Sequence, residues 1–295
     1  MALTGWWPFG RRQKAALSPE QRAALRTLVA SAKYELIPLK NVYDESAGLP
    51  AGAVVTVTAS PKHGIEATLT VGEALAAKGH SVVPHLSARM IRDRAQLSEL
   101  LARARAAGMR KVFVVGGDAT QVGEFRDGVD LLRALHEVGH PFEEIGVPSY
   151  PEGHATIPDD VLLRVLKEKQ QYAQAMTTQM AFNPGAVSDW IGRMRREGVT
   201  LPVHLGIPGV LEMTKMMRIA AQIGVADSAR YLSKNPSLLG HLAQPGSFGP
   251  DAFLRQMAPT LADPTANVRG LHVFTMNQVK ATAAWQKQML DELGQ

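Results

Sequence analysis

Residues 111–118 read KVFVVGGD, and this stretch decides the fold. Apolar and β-branched residues run straight into two glycines and a carboxylate. A run this short, apolar on both faces and stopped by Gly-Gly, reads as a buried parallel strand. A helix needs more length and tolerates paired glycines badly. The strand then delivers Asp118 to its own C-terminal mouth, on backbone that Gly116 and Gly117 leave bare for close approach by a ligand. In parallel α/β folds that mouth is where chemistry sits. The plain alternative is a turn followed by a helix cap, and the two are separated by whether other strand-like runs end the same way.

Working outward, strand candidates fall at 34–39 (YELIPL), 54–59 (VVTVTA), 81–87 (SVVPHLS), 111–117, 144–148 (EIGVP), 177–182 (TTQMAF), 202–207 (PVHLGI) and 271–276 (LHVFTM). Helical patterns lie between them at 66–78, 95–107, 125–138, 159–175, 187–197 and 211–223, and a last one at 278–293. Strands that each precede a helix close naturally into a (β/α)8 barrel through right-handed crossovers. Ser18-Pro19-Glu20 starts an extra N-terminal helix, with Ser18 as N-cap and Pro19 in the first turn. A helical insertion before strand eight occupies 226–261, broken at Asn235-Pro236 and Pro245-Gly246. With no linker and no repeat, 18–295 reads as one domain. Residues 1–17 form an arm in which Trp6, Trp7 and Phe9 precede Arg11, Arg12 and Lys14. It either packs on the barrel or touches a membrane surface or partner.

Composition excludes several classes of function. The 295 residues include no cysteine, which removes disulfides, thiolate chemistry and cysteine-held metals. No apolar run of membrane-spanning length occurs, and the N-terminus lacks a secretory h-region, so a cytoplasmic protein is expected. The net charge of +5 suits an anionic ligand. No lysine-rich tract with interleaved aromatics suggests nucleic acid. Assembly into a homo-oligomer is left open.

The polar residues at the strand ends form a joint pattern. They are Glu35, then Thr58 and Ser60, then His85 and Ser87, then Asp118. Tyr150, Glu152 and His154 follow in SYPEGH, Gln179 lies in strand six, and Thr275 and Asn277 close strand eight. Singly, each has a structural explanation: a salt-bridged Glu35, a satisfied core His85, Gln179 as filler. Together they depart from the Val, Ile and Leu of an ordinary barrel interior, and burying acids without purpose is costly. A shared pocket follows. The serine-hydrolase elbow and the phosphate loop are absent. His85, His154 and the carboxylates could hold a metal, but the alternation with Gln, Thr and Tyr favours a hydrogen-bonding pocket for a flat heterocycle, with no metal. Glu35, inside an apolar strand, would keep a proton to donate. Asp118, beside bare backbone and water, would stay ionised and stabilise a cation.

At this point the chain resembles the methylenetetrahydrofolate reductase family. The segments that carry the likeness are YELIPLK, VTVTAS, PHLSAR, VVGGD, SYPEGH, LKEK, TTQMAFN, LGIPG and GLHVFTMN, in family order. The resemblance implies a TIM barrel of one-carbon metabolism and methionine biosynthesis. It would be an oxidoreductase that takes a tetrahydrofolate substrate, 5,10-methylenetetrahydrofolate, to 5-methyltetrahydrofolate, with electrons from NADH or NADPH. It implies Glu35 as the general acid that opens the five-membered ring to an iminium ion. Asp118 would be the carboxylate that binds the pterin and stabilises that cation. Gln179 would orient the folate, with Phe182 beside it. Thr58, His85, Gly117, Tyr150, His154 and Lys169 fall on positions that line the flavin pocket.

Departures from the pattern concentrate on the FAD side. The family's Leu-Arg-Gly-Asp is Val115-Gly116-Gly117-Asp118 here, so an arginine that reaches the FAD is missing. Asp127-Gly128 stands for Tyr-Ala, Val165 for a polar residue, Ala181-Phe182-Asn183 for Phe-Phe-Asp, and Met213 for an aromatic. Losing a cation that pairs with a diphosphate, and placing Asp127 nearby, weakens the hold on a dianion. The expectation is a folate barrel that binds FAD weakly or not at all, in which NAD(P)H hands its hydride straight to the iminium carbon. Two alternatives stay open: methyltetrahydrofolate oxidation in a methyl-transfer or demethylation pathway, and a non-catalytic folate-binding protein. The chain is expected to carry no regulatory domain after the last helix.

Overall fold

The structure, a computed structural model, describes residues 16–212, 218, 247–248 and 250–294. Eight parallel strands close into a barrel: β1 (Lys33–Leu36), β2 (Val54–Val57), β3 (Ser81–Ser87), β4 (Lys111–Val115), β5 (Glu144–Ser149), β6 (Ala175–Thr178), β7 (Val203–Pro208) and β8 (Val268–Phe274). Each pairs with the next in sequence, and β8 closes on β1 with Lys33 opposite His272 and Glu35 opposite Phe274. The outer layer comprises α1 (Pro19–Ala30), α2 (Val42–Ser46), α3 (Gly64–Ala77), α4 (Arg94–Ala106), α5 (Gly128–Val138), α6 (Asp159–Lys169), α7 (Pro184–Arg196), α8 (Asp251–Ala262) and α9 (Val279–Leu293). The extra N-terminal helix α1 starts on a full capping box between Ser18 and Gln21, with Pro19 in its first turn. It packs on α8 and α9. Among the described residues no helix is long and apolar enough to cross a membrane.

Strand side chains alternate between the two sides of the sheet, and here the alternation sorts two different interiors. One parity faces the helices and is apolar: Leu36, Val55, Val57, Val114, Ile145, Val147, Leu205 and Val273 are all fully buried. Tyr34 shares that face, where its hydroxyl donates to Gln286 Oε1 on α9 at 2.5 Å. The other parity faces the barrel interior and carries the polar side chains Lys33, Glu35, Thr56, His85, Glu144, Thr177, His204 and His272 among Val83, Phe113, Ala175 and Phe274.

Local competition moved several boundaries from their expected places. The helix expected at 159–175 stops at Lys169, because Gln174 is drawn into the sheet: its backbone N–H donates to Ile145 O, and its side chain accepts from Ile145 N–H. Strand six therefore covers Ala175–Thr178 rather than 177–182. Its frame is set by the neighbours, with Gly146 opposite Ala175 and Ser149 opposite Thr178. Gln179 stands just beyond the strand, its N–H held by Ser149 O. The helix expected from residue 125 begins at Gly128, since Asp127 caps it. Of the helix expected at 211–223, Leu211–Glu212 instead pairs antiparallel with Ser247–Phe248. Apart from Arg218 the remainder of that segment, Met213 included, lies outside the described residues, as do residues 1–15 of the arm and most of the insertion expected at 226–261 before strand eight, whose described part holds α8.

Thr275 and Asn277, expected at the pocket, stitch the closure instead. The Asn277 side chain accepts from Ile37 N–H at 2.8 Å and donates to Ile37 O at 2.9 Å, while the Thr275 hydroxyl donates to Glu35 O. Both groups are buried, and the bonds satisfy backbone left open where β1 and β8 end.

Candidate active site

Because the strands are parallel and consecutive, all their C-terminal ends lie at one rim, and residues at equivalent strand ends converge there. A cavity of about 310 Å³ opens at that rim. It is bordered by Glu35, Thr58, His85, Gly117, Asp118, Tyr150 and Gln179, seven of the residues singled out in the sequence. Ser87, Phe113, Thr177, His272 and Phe274 complete much of its wall.

Glu35 projects from β1 and is 7% exposed. Its surroundings are not the apolar ones expected from its sequence neighbours, since Oε2 lies 2.9 Å from His272 Nε2. His272, only 2% exposed, was missed by the sequence reading. The sequence carries a signal for it: within 270–277 (GLHVFTMN), strand alternation puts His272 and Phe274 on one face. A neutral imidazole with Nε2–H donating, or an imidazolium, both fit the distance, so this ring holds the acid in one orientation.

His85 from β3 sits beside this pair, its ring 4.7 Å from Phe113 and 6.3 Å from His272 between centroids. Burial pushes its pKa down to about 4, with Glu35 pulling the other way, so the ring is neutral at physiological pH. Its Nε2 is buried and without a hydrogen-bond partner among the described residues. A buried polar nitrogen bordering a cavity is a place for a ligand or water to bind.

The Gly-Gly turn after β4 has a steric cause. Gly117 has φ +86°, and a Cβ there would stand 2.0 Å from Ser87 Oγ. Only glycine lets the β4 end lie against the β3 end, which brings Asp118 to the rim, exposed to solvent. Facing it is Tyr150, whose hydroxyl is pushed up to about 12 by burial and then by the Asp118 charge, and so stays protonated as a donor. The Gln179 side-chain carbonyl accepts from Met180 N–H at 2.8 Å, leaving its NH₂ end for a ligand.

Three candidates lie beside the cavity rather than in its wall. His154 meets the Tyr150 ring edge-on at 4.9 Å, and its Nδ1 accepts from Thr156 N–H at 3.2 Å. Phe182 is 2% exposed, and its N–H donates to Glu152, whose other carboxylate oxygen takes Asn183 N–H. Glu152 thereby straps the chain after β6 onto the chain after β5. Lys169 ends α6, is 8% exposed and lies below the start of α5. Burial lowers its pKa while Asp127 opposes the shift. At that helix start, Asp127 Oδ1 accepts from Val129 N–H at 2.8 Å and Asp130 N–H at 3.1 Å, and Arg126 is paired with Asp130. Among the described residues no three His, Asp or Glu side chains converge as metal ligands.

Comparison with known proteins gives this geometry its family. The "Methylenetetrahydrofolate reductase 1" of Schizosaccharomyces pombe is 26% identical over 205 residues, 66% of this chain and 32% of that protein. The "Probable methylenetetrahydrofolate reductase (NADPH)" of Caenorhabditis elegans is 27% identical over 135 residues, 43% of this chain and 20% of that protein. The "Methylenetetrahydrofolate reductase 2" of Saccharomyces cerevisiae is 24% identical over 197 residues, 63% of this chain and 32% of that protein. The chain thus spans about a third or less of the relatives it matches. A profile of the methylenetetrahydrofolate reductase family matches residues 40–290, from α2 into α9 and so all of the cavity wall but Glu35 on β1, and the chain belongs to that family.

Proposed function

We propose that this barrel reduces 5,10-methylenetetrahydrofolate to 5-methyltetrahydrofolate with a hydride from NADH or NADPH. The observation that carries the reading is that Glu35, Asp118 and Gln179, from three separate strand ends, border a single cavity. Reducing this substrate requires opening its five-membered ring. A proton from Glu35 to N10 lets the bond from N10 to the methylene carbon break, and the carbon remains on N5 as an iminium ion. His272 holds Glu35 toward the cavity for that transfer. The iminium charge forms on the pterin side, where the Asp118 carboxylate stabilises it, and Gln179 orients the ring through its amide. The hydride then reaches the methylene carbon and gives the N5-methyl product.

The α5 start supports direct arrival of the hydride. A flavin dinucleotide needs a home for its diphosphate, and the first free N–H groups of a helix are one. Here the Asp127 carboxylate occupies Val129 and Asp130 N–H, Gly116 stands where the family carries arginine, and Lys169 is buried. A dianion would meet a resident negative charge, and the arginine at this helix start, Arg126, is already paired with Asp130, so these residues do not fit a tightly held FAD. The hydride passes directly from the nicotinamide, seated against the His85 and Phe113 side of the cavity, across about 3–3.5 Å to the iminium carbon.

One pair of measurements on purified protein tests this. The visible spectrum is expected to lack a stoichiometric flavin band, and NAD(P)H oxidation is expected to depend on methylenetetrahydrofolate and proceed without added FAD. A stoichiometric flavin band would overturn the direct transfer. Absence of oxidation both with and without FAD would overturn the reductase reading.

A further inference from the structure

Below the candidate site the barrel interior holds a second polar cluster with no part in binding substrate. Lys33, Lys111 and Glu144 are the first residues of β1, β4 and β5, at the end of the barrel opposite the cavity mouth. Glu144 bridges both lysines, at 3.1 Å to Lys33 Nζ and 2.9 Å to Lys111 Nζ. The cluster is graded in exposure: the Lys33 side chain is 11% exposed, while Glu144 and Lys111 reach solvent at 25% and 34%. Between this cluster and the site lies a void of about 10 Å³, bordered by Lys33, Thr56, Phe113, Glu144, Thr177 and His272. That is about the space of one water position. His272 and Thr177 border the upper cavity as well, so the two spaces share a wall.

Unpartnered polar atoms mark the same axis. Thr56 Oγ1 and His204 Nδ1 are buried without a hydrogen-bond partner among the described residues. Buried polar atoms are nearly always bonded, and a void of this size bordered by Thr56 together with Lys33, Glu144, Thr177 and His272 is where a buried water satisfies Thr56 Oγ1. We propose that a hydrated proton path runs along the barrel axis from Lys33, through water in this void, to His272 and Glu35, and that it reprotonates Glu35 from the side opposite the substrate mouth. This rests on the proposed reduction, in which Glu35 gives up one proton per turnover while folate and nicotinamide fill the mouth.

The balance is one solvent proton per hydride. Glu35 leaves its proton on N10 and becomes a carboxylate. It takes a proton from His272 Nε2, as His272 Nδ1 takes one from the void water. The water is restored by Lys33, which recovers its proton from solvent at the exposed end. The groups facing the void suit these roles. Burial weakens the hold of Lys33 on its proton, with Glu144 opposing. Burial pushes Glu144 up, but Lys33 and Lys111 outweigh it and bring it down to about 2, so it stays an anion. His204 on β7, outside the void wall, is pushed down to about 3 by burial and by Lys33, with Glu144 opposing, and adds no charge to the axis.

The test uses Lys33→Met, Lys33→Arg and Thr56→Val in the full chain, with kcat, KM and the solvent deuterium isotope effect measured across pH. A crystal structure resolving buried water is the second arm. The path predicts a fall in kcat of about ten-fold for Lys33→Met, with KM for folate unchanged and a larger isotope effect on kcat. Lys33→Arg keeps the charge but cannot release a proton, so it is expected not to rescue, whereas a purely structural lysine would be rescued. Thr56→Val, nearly isosteric, is expected to lower kcat in the same direction. Wild-type kcat and isotope effect in the folded variants, or a dry void, would overturn the path. A wild-type protein without folate-dependent NAD(P)H oxidation sinks the reductase reading and the path with it, whereas an active wild type with unaffected variants sinks the path alone.

Discussion

Replacing Gly117 by alanine isolates the device that positions Asp118. The new Cβ would stand 2.0 Å from Ser87 Oγ and 3.3 Å from Ser87 Cβ, on a residue with φ +86°. The left-handed conformation alone costs about 1–2 kcal/mol for a residue with a side chain. Ser87 is fully buried and donates weakly to Gly116 O at 3.4 Å, so turning its hydroxyl away forfeits that bond, about 0.5–1 kcal/mol more. The expected loss is about 1.5–3 kcal/mol, which lowers Tm by roughly 2–5 °C in a chain of this size. In a Ser87→Ala background the 2.0 Å clash disappears and only the 3.3 Å contact and the φ penalty remain. Gly117→Ala should then cost about 1 kcal/mol less than in the wild type, a coupling readable by urea denaturation of the four proteins. Additive effects, or a loss below about 0.5 kcal/mol in the single variant, would refute the steric account. Folate affinity should fall in the same variant, because Asp118 follows directly on the altered residue.

Other outcomes follow from the same geometry. Glu35→Gln keeps the contact to His272 but has no proton to give, so turnover should drop about 10²–10⁴-fold with folate affinity held within a few-fold. Wild-type turnover would remove Glu35 from the chemistry. Asp118→Asn should cost about 2–4 kcal/mol of transition-state stabilisation in kcat/KM, and an unchanged kcat/KM would clear Asp118 of that role. His85 and His204 are pushed down to about 4 and 3, so on unfolding below pH 6.5 each takes up a proton that the folded state lacks. Stability is then fully present above pH 6.5 and falls as pH drops toward those values, by about 1.4 kcal/mol per histidine per pH unit. Urea midpoints at pH 7.5 and 5.5 measure the slope, and His85→Gln should reduce it. An unchanged slope would show that His85 is not held neutral by burial.

The proposed reduction calls on two acids kept apart by their settings. Glu35 is enclosed and held by an imidazole, so it can exchange one proton with substrate. Asp118 sits exposed at the rim facing Tyr150, so its charge is available to a cation without a bound proton. The polar barrel interior serves the first of these and is unusual for a packed barrel, where Val, Ile and Leu dominate.

The sequence by itself determined the barrel and its working rim. Short apolar runs alternating with amphipathic helices leave a closed parallel sheet as the economical solution, and parallel closure sends every strand end to one face. For that reason Glu35, Asp118 and Gln179 could be placed together although they are far apart in the chain. Alternation also states which side of the sheet a residue takes, but not which residue it meets there. That is settled by register after closure, so the pairing of Glu35 with His272, 237 positions apart, and the Lys33–Glu144–Lys111 cluster were decided only by the tertiary structure. The same reason explains the frame of β6, where 176–182 is apolar enough to pair in several ways and its neighbours chose one. It also explains why Thr275 and Asn277 serve backbone, while Lys169, His154 and Phe182 stand outside the cavity wall. A side chain's bonding capacity is written in its type, and its partner is chosen by the fold around it.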